Sequence, residues 1–241
     1  MSSSSSAPKL GVILAAGGTG SRFGRAGGKQ LAPLHGRSVV AWALDPFLGL
    51  PSLAAVVVVA DPDRLGEFAD QIEYLLPAGV SLQVVSGGER RQDSVAAGLA
   101  ALPAACKLIA VHDGARPLVT VELVSAALGA LTTDEDAQGL VVGHPSVDTL
   151  KHVDRGIVIA TPDRTLFWSI QTPQIFRAAA LRRAYERAEA DGFVGTDDAS
   201  LVERLGGRVI AFPGSRDNIK VTHAEDLLIA EAILAAREQG A

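Results

Sequence analysis

Short, continuously apolar segments alternate along the chain with longer segments in which apolar residues recur at helical spacing. The short segments predict strands buried on both faces, and the longer ones predict amphipathic helices. The predicted strands cover residues 11–16, 54–60, 82–85, 108–111, 140–142 and 209–212. The predicted helices cover residues 38–47, 63–74, 92–101, 121–131, 178–191 and 224–238. This alternation indicates the α/β class, with a doubly wound, mostly parallel sheet joined by right-handed crossovers.

One segment interrupts the alternation. Residues 149–160, with the sequence TLKHVDRGIVIA, predict two short strands joined by a turn at Asp154, Arg155 and Gly156. A hairpin that leaves a wound sheet exposes its strand edges, and a partner subunit is the simplest cover for them. We therefore expect one domain over residues 9–241 that forms a homodimer through a protruding arm at about 145–170. The serine-rich residues 1–8 are expected to form a disordered tail.

The first predicted strand ends in a glycine-rich loop. The sequence GGTG, from Gly17 to Gly20, lacks most of the Cβ atoms that hinder close approach of a ligand, and Arg22 and Lys29 follow it. Successive backbone N–H groups in such a loop form an anion site, to which a guanidinium and an ammonium add charge. The spacing matches no Walker A loop, and Phe23 stands where the dinucleotide fingerprint needs its third glycine. The segment therefore predicts a phosphate site of another kind.

Polar residues follow two other predicted strands. Residues 87–91 (GGERR) follow one, and residues 112–117 (HDGARP) follow another. Because parallel strands present their carboxyl ends at one edge of a sheet, we expect both clusters to lie beside the glycine loop. Asp113 is then favoured as a ligand of Mg²⁺ or of substrate hydroxyl groups over a turn-forming aspartate. Asp93 and Ser94 suit two roles, either capping the helix that begins there or contacting a nucleobase.

Composition limits the function classes. A net charge of −5 and an isoelectric point near 5.5 leave no broad basic surface for nucleic acid. No apolar run is long enough to span a bilayer, and the first residues lack the features of a signal peptide. The single cysteine, Cys106, excludes an intrachain disulfide and a cysteine-rich zinc site, which fits a reducing cytoplasm. Without a recognisable Ser-His-Asp set or an HExxH motif, the residues favour phosphoryl or nucleotidyl transfer.

Seven motifs follow one another along the chain from about Leu10 to near the C-terminus. They are LAAGGTGSRFG with Lys29-Gln30, GGERRQDS at 87–94, VHDGARP at 111–117, DTLK at 148–151, QTPQ at 171–174, TDDAS at 196–200 and DNIKVT at 217–222. In this order they give the chain a specific resemblance to the 2-C-methyl-D-erythritol 4-phosphate cytidylyltransferases, enzymes of the non-mevalonate isoprenoid pathway. The resemblance implies a Rossmann-like nucleotidyltransferase fold and a cytoplasmic homodimer that uses Mg²⁺, without nucleic-acid or membrane partners.

The resemblance also implies roles for individual residues. Binding of CTP is assigned to Ala15, Ala16, Gly17, Gly20, Gly88, Glu89 and Ser94. The catalytic cations are Arg22, Lys29 and Lys220, with Lys220 bridging the attacking phosphate and the α-phosphate. Binding of the polyol phosphate is assigned to Asp113, Arg116, Thr149, Arg164 and Thr172, with Thr149 and Arg164 contributed by the arm of the second subunit. Asp113 is also assigned to the metal.

The implied reaction is in-line attack of the substrate phosphate on the α-phosphorus of CTP, with release of pyrophosphate. A phosphate monoester has a second pKa of about 6, so the attacking oxygen needs no general base near neutral pH. The cations and Mg²⁺ offset the repulsion between the two anions. Two alternatives stay open: a ribitol-5-phosphate cytidylyltransferase, whose loops look alike, and a nucleotide-binding module without turnover. The segment DTLK, with Asp163, Arg164 and Trp168, looks more like the methylerythritol branch.

Overall fold

The computed structural model describes residues 7–18, 23 and 28–240. The strands within these residues are β1 (Leu10–Ala15), β2 (Pro33–Leu34), β3 (Arg37–Ser38), β4 (Leu53–Ala60), β5 (Ser81–Ser86), β6 (Leu108–Asp113), β7 (Gly139–Pro145), β8 (His152–Asp154), β9 (Ile157–Ala160), β10 (Trp168–Arg177) and β11 (Val209–Pro213). Seven of them form the central sheet in the order β11-β7-β10-β6-β1-β4-β5.

Neighbouring strands of this sheet run parallel except at β10, which is antiparallel to both β6 and β7. The central strand β6 is buried along its whole length. Such a strand has helices on both faces, so it shows a continuous apolar run instead of an alternating one. The predicted fold class, α/β with a mostly parallel sheet, is confirmed.

The helices are α1 (Val39–Leu48), α2 (Leu65–Ile72), α3 (Arg91–Ala101), α4 (Val121–Thr133), α5 (Ala178–Ala190), α6 (Asp198–Arg204) and α7 (Glu225–Gln239). The helix α2 is shorter than predicted because 3₁₀ turns, Pro62–Arg64 and Glu73–Leu75, replace its two ends. The sequence pattern does not predict α6, which at seven residues is too short for a periodic signal. Its local signal is Asp197, whose carboxylate accepts from the backbone N–H of Ser200 at 2.9 Å.

The helices cover both faces of the sheet. Leu14 and Val58 point to one face, where α1, α2 and α4 pack, and Ile13 and Val57 point to the other, where α3, α5 and α6 pack. A third cluster holds α7 against the β2–β3 hairpin. In the part of the chain that the structure describes, no helix is long and apolar enough to cross a membrane.

The strand β10 is the largest element that the sequence pattern misses. Its middle reads Gln-Thr-Pro-Gln, and proline in a strand argues against a central position. The structure accommodates this segment with an irregularity: Ile170 pairs with Gly143 and Gln174 pairs with Val141, so β10 has two extra residues relative to β7. The irregularity lies beside the end of β6, which brings the polar segment to the edge where the predicted site lies.

The predicted hairpin at 149–160 is present as β8 and β9, paired antiparallel. Arg155 and Gly156 have positive φ angles of 47° and 81°, which is the geometry of a tight hairpin turn. All residues of both strands are exposed. A second hairpin, β2–β3, turns at His35 and Gly36 and is not predicted, since its strands have only two residues each.

Candidate active site

A cavity of about 200 Å³ lies at the carboxyl ends of β1, β5 and β6. The loops that follow these strands line it, together with residues from two more distant segments. The lining residues are Ala15, Gly17, Gly18, Lys29, Gln30, Glu89, Arg91, Ser94, Asp113, Ala115 and Lys220. The polar clusters that the sequence places after separate strands therefore do meet in one cavity.

The predicted site residues divide into four groups. Those that line the cavity are Ala15, Gly17, Lys29, Glu89, Ser94, Asp113 and Lys220. Those that neighbour a lining residue, in sequence or through a hydrogen bond, are Ala16, Gly88, Arg116 and Thr172. Gly20 and Arg22 lie outside the described residues. Thr149 and Arg164 flank the β8–β9 hairpin and do not line the cavity of their own chain, and the Nη1 of Arg164 donates to the carbonyl of Val147 at 2.6 Å.

The loops after β1 and β5 pack directly on each other. A Cβ atom added at Gly17 would lie 3.6 Å from the Cα of Gly87, and one added at Gly88 would lie 2.5 Å from the Cβ of Asp93. Gly88 thus has no room for a side chain. Two backbones can approach a ligand closely here because neither carries side-chain bulk at the point of contact.

The side chains of Asp93 and Ser94 both form hydrogen bonds at the start of α3. The carboxylate of Asp93 accepts from the backbone N–H of Arg90 at 3.2 Å and from its guanidinium. The hydroxyl of Ser94 accepts from the N–H of Gly88 at 3.1 Å and donates to the carbonyl of Arg90 at 3.1 Å. Both side chains therefore stabilise the helix start and the loop before it. A nucleobase contact by Ser94, which also lines the cavity, stays a prediction.

Asp113 is the electrostatic centre of the cavity. Its carboxylate lies 2.8 Å from the Nζ of Lys220, 3.5 Å from the Nε of Arg116 and 3.7 Å from the Nε of Arg91. Burial by itself raises the pKa of the Asp113 carboxyl, but the Lys220 and Arg91 charges outweigh burial and hold this pKa well below its ordinary value. The cations of the site outnumber its carboxylates by one, which suits a polyanionic ligand: they are Lys29, Arg91, Arg116 and Lys220 against Glu89, Asp113 and Asp198.

Arg91 is a site residue that the sequence analysis does not assign. Besides facing Asp113, its Nη2 donates to the carboxylate of Asp198 at 2.7 Å, and the hydroxyl of Tyr185 donates to the same carboxylate at 2.5 Å. Asp198 is fully buried. Its position in TDDAS marks it as notable, but no sequence pattern shows that it pairs with an arginine 107 residues away.

His112 is a second residue without a prior assignment. It is fully buried, and its ring lies 5.5 Å from that of Phe47. Its Nδ1 lies 2.9 Å from the hydroxyl of Thr172, and its Nε2 lies 3.1 Å from the carbonyl oxygen of Arg116. The Thr172 hydroxyl also accepts from the backbone N–H of Asp113 at 3.0 Å. Burial lowers the pKa of His112 to about 4, so the ring is neutral near pH 7.

Asn218 anchors the segment that carries Lys220. It is fully buried, and its Nδ2 donates to the carbonyl of Thr172 at 2.9 Å. The backbone carbonyl of Asn218 accepts a hydrogen bond from the Nη1 of Arg116 at 2.7 Å. On the other side of Lys220, the backbone N–H of Val221 donates to the carbonyl of Ala115, in the turn after β6, at 2.8 Å. The backbone on both sides of Lys220 is therefore fixed, and its ammonium reaches Asp113 from a rigid base.

The donor set at the cavity also tests a metal. In the part of the chain that the structure describes, no three His, Cys, Asp or Glu side chains cluster in a way that could hold a metal ion. Two carboxylates, those of Asp113 and Glu89, do line the cavity. Because Mg²⁺ is commonly held by one or two carboxylates together with substrate phosphates and water, these residues fit a divalent ion that binds jointly with a triphosphate.

The lowered pKa of His112 predicts a pH dependence of stability. The folded ring has a pKa of about 4, whereas an unfolded histidine has about 6.5, so the unfolded chain takes up this proton first as pH falls. The free energy of unfolding is therefore expected to fall by about 3 kcal/mol between pH 6.5 and 4. Urea unfolding at several pH values in this window measures it.

Two other groups contribute at the acid end of this window, since hydrogen bonds from Arg64 and His35 lower the pKa values of Glu67 and Glu231 from 4.5. The pKa of Asp113 is lowered from 3.8, so its contribution is lost below that value, whereas hydrogen bonding to Glu231 raises the pKa of His35 above 6.5. The control is His112→Asn, which removes the titrating ring. An equally steep loss of stability in this variant would show that another group is responsible.

The sequence matches one protein family over nearly its whole length. The family model described as 2-C-methyl-D-erythritol 4-phosphate cytidylyltransferase matches residues 10–236. Two relatives of that name, from Symbiobacterium thermophilum and Prochlorococcus marinus, are each 40% identical to the chain. The alignments cover 93% and 94% of this chain and 92% and 98% of the relatives.

Solved structures give the same result. The 4-diphosphocytidyl-2C-methyl-D-erythritol synthase of Anaerococcus prevotii superposes with a TM-score of 0.82 at 29% identity, covering 94% of this chain and 98% of that one. The 2-C-methyl-D-erythritol 4-phosphate cytidylyltransferase of Thermus thermophilus superposes with a TM-score of 0.73 at 32% identity, covering 93% and 98%. With the strand-end cavity, its cations and a match over nearly the whole chain, this protein belongs to the 2-C-methyl-D-erythritol 4-phosphate cytidylyltransferase family.

Proposed function

We propose that this protein transfers CMP from CTP to 2-C-methyl-D-erythritol 4-phosphate, which releases pyrophosphate and forms 4-diphosphocytidyl-2-C-methyl-D-erythritol. The observation that carries the proposal is the cation-rich cavity, in which Lys220 is held 2.8 Å from the buried carboxylate of Asp113. Family membership and the cavity's excess positive charge both support a reaction between two phosphorylated substrates.

The chemistry required of the protein is charge management and alignment. The attacking phosphate is already an anion, so the barrier comes from bringing it to the α-phosphate of a second anion. Lys29 and Lys220 approach the cavity from separate segments and offset this repulsion. Asp113 limits the positions that the Lys220 ammonium adopts, so little reorganisation is needed when the phosphates arrive. We assign Arg22 a parallel role on the glycine loop.

Binding of the two substrates divides between the loops. The nucleotide half of the proposal assigns CTP to the loops after β1 and β5, through Ala15, Ala16, Gly17, Gly20, Gly88, Glu89 and Ser94. The acceptor half assigns the polyol phosphate to Asp113, Arg116 and Thr172 around the end of β6. Gly17 and Gly18 line the cavity without side-chain bulk, which supports the first assignment because a ligand can approach this backbone closely.

Nucleotidyltransferases generally use a divalent metal, and we propose Mg²⁺ for this one. Asp113 would hold it together with the triphosphate oxygens, and the ion would neutralise charge on the phosphates when bound. The low pKa of Asp113 supports this role, since the carboxylate stays ionised at any physiological pH. With its single cysteine, the chain also suits the reducing cytoplasm in which we place this reaction.

We further propose that two copies of the chain form a homodimer through the arm, with Thr149 and Arg164 completing the neighbouring site. Ile157, Val158 and Ile159 are consecutive apolar residues of the arm, each more than half exposed. Such a surface needs a cover, and a second copy would bury it while bringing the arm to a site that its own chain does not reach.

Charging the arm tests the homodimer. Ile157→Asp is expected to raise the dimer dissociation constant at least about 30-fold, because it places a charge in an apolar contact. Sedimentation across a concentration series measures this constant. Leu228→Asp, at an equally exposed apolar residue of α7, is the matched control and is expected to change nothing. A wild-type protein that is monomeric and fully active would rule the arm out.

The direct test of the function is pyrophosphate release from CTP and Mg²⁺ with each acceptor separately. Release with 2-C-methyl-D-erythritol 4-phosphate alone supports the proposal. Release with ribitol 5-phosphate alone would keep the nucleotide half and overturn the acceptor half. Silence with both acceptors, accompanied by CTP binding in calorimetry, would favour a nucleotide-binding module without turnover. Three separate segments, which carry Lys29, Arg91 and Lys220, bring cations to one cavity. This argues against such a module, which needs no second phosphate site.

A further inference from the structure

His112 is buried at the centre of the site but contacts no open space, so its use is not explained by substrate binding. An aliphatic side chain would fill the same volume without the cost of burying two polar nitrogens. Both ring nitrogens instead have partners: one is the Arg116 carbonyl at the end of a turn, and the other is the Thr172 hydroxyl, which is hydrogen-bonded to the start of the same turn. The turn is the segment 113–116, which carries Asp113 and Arg116.

The proton positions in this network follow from the partners. The carbonyl oxygen of Arg116 can only accept, so the ring nitrogen beside it, Nε2, must carry a hydrogen. In a neutral ring, Nδ1 is then an acceptor, and the hydroxyl of Thr172 must donate to it. That hydroxyl already accepts from the N–H of Asp113, so its single proton is committed to the histidine.

We propose that His112 is a positioning residue. Its neutral ring holds the 113–116 turn in place through its two hydrogen bonds and sets the direction of the Thr172 hydroxyl. One nitrogen holds the Arg116 end of the turn directly, and the other holds the Asp113 end through Thr172. The ring of Phe47 packs beside that of His112, with 5.5 Å between the two ring centroids. This inference rests on the proposed function for its kinetic consequences.

The network has a consequence for specificity. Because the hydroxyl proton of Thr172 is donated to His112, Thr172 can accept a hydrogen bond from the polyol phosphate but cannot donate one to it. Thr172 can therefore pair with a hydroxyl group of the polyol, which donates a hydrogen bond. It cannot pair with the phosphate, which only accepts. The phosphate is left to Arg116 and Lys220, whose charges converge on Asp113.

A pair of substitutions separates the two ring nitrogens. His112→Asn places an amide oxygen near the Nδ1 position and keeps an acceptor for Thr172, whereas His112→Gln reaches the Nε2 position and keeps a donor for Arg116. We expect His112→Gln to lower kcat/KM for the polyol phosphate about 10- to 100-fold, because the Asp113 end of the turn is released. The KM for CTP should change less than about threefold, since its predicted loops are untouched. His112→Asn should retain more of the polyol specificity than His112→Gln.

A double-mutant cycle with Thr172 shows whether His112 acts through that hydroxyl. Thr172→Ser keeps the hydroxyl and should retain more activity than Thr172→Val, which should reproduce the loss seen in His112→Gln. The loss from Thr172→Val should be much smaller in the His112→Gln background than in the wild type. Full additivity in folded variants, or unchanged kinetics in His112→Gln, would overturn the proposal. If His112→Gln fails to fold, the tautomer of His112 in the wild-type protein decides the proposal.

A spectroscopic measurement is independent of turnover. Long-range ¹H–¹⁵N correlation spectra of the wild type at pH 7 should show His112 with a hydrogen on Nε2 and a bare Nδ1 that receives a hydrogen bond. Thr172→Val should shift the Nδ1 resonance, and His112→Asn identifies the signal among the five histidines. A hydrogen on Nδ1 would overturn the inference. If the protein releases no pyrophosphate but shows this tautomer, the proposed function fails while the network stands.

Discussion

Replacing Lys220 with alanine is expected to lower kcat about 10³-fold while the fold survives. The ammonium lies 2.8 Å from Asp113 in the cavity, and its charge is most valuable when the two phosphates are closest, in the transition state. The KM for CTP should change much less than kcat, because the loss falls on the reacting centre. Single-turnover kinetics with saturating substrates measures the chemical step.

The controls for Lys220 separate charge from position. Lys107→Ala removes an exposed lysine beside the opposite end of β6 and should leave kcat unchanged. Lys220→Arg keeps the charge but changes the geometry, and should recover only part of the activity. The anchoring by Asn218 and Val221 uses other atoms of the segment, so the thermal midpoint should move little in Lys220→Ala. An unimpaired turnover number would remove Lys220 from the mechanism.

Replacing Asp198 with asparagine is expected to cost about 3 kcal/mol of unfolding free energy. The carboxylate is fully buried and receives hydrogen bonds from Arg91 at 2.7 Å and from Tyr185 at 2.5 Å. Asparagine has nearly the same volume but no charge, so the guanidinium of Arg91 loses its buried counter-charge. Urea unfolding at pH 7 measures the change, and kcat/KM should also fall because Arg91 lines the cavity.

A surface carboxylate provides the comparison for Asp198. Asp191 also pairs with two side chains, Arg187 at 2.9 Å and Arg204 at 2.7 Å, but these arginines are substantially exposed. Asp191→Asn should therefore cost far less unfolding free energy than Asp198→Asn. Tyr185→Phe, which removes one hydrogen bond and keeps the charge pair, should fall between the two variants. Equal costs for Asp198→Asn and Asp191→Asn would show that burial of the pair is not what matters.

Local signals account for much of the fold and for part of the site. The apolar runs of β1, β4 and β6 are predicted because strands buried on both faces have no polar alternation to obscure them. The arm is predicted because the residues around Arg155 and Gly156 are typical of a tight hairpin turn. In contrast, β10 is missed, since its Gln-Thr-Pro-Gln segment violates the usual composition of a central strand.

By itself, the sequence determined the α/β class, the glycine loop, the arm and the set of polar clusters that follow the strands. Each of these depends on residues close together in the chain, where spacing and side-chain chemistry are enough. Only the tertiary structure decided which groups meet. Arg91 meets Asp198 and Lys220 meets Asp113, each across 107 residues of sequence, and His112 meets Thr172 across 60. Such contacts depend on strand order and on the antiparallel insertion of β10, which bring distant segments to one edge of the sheet.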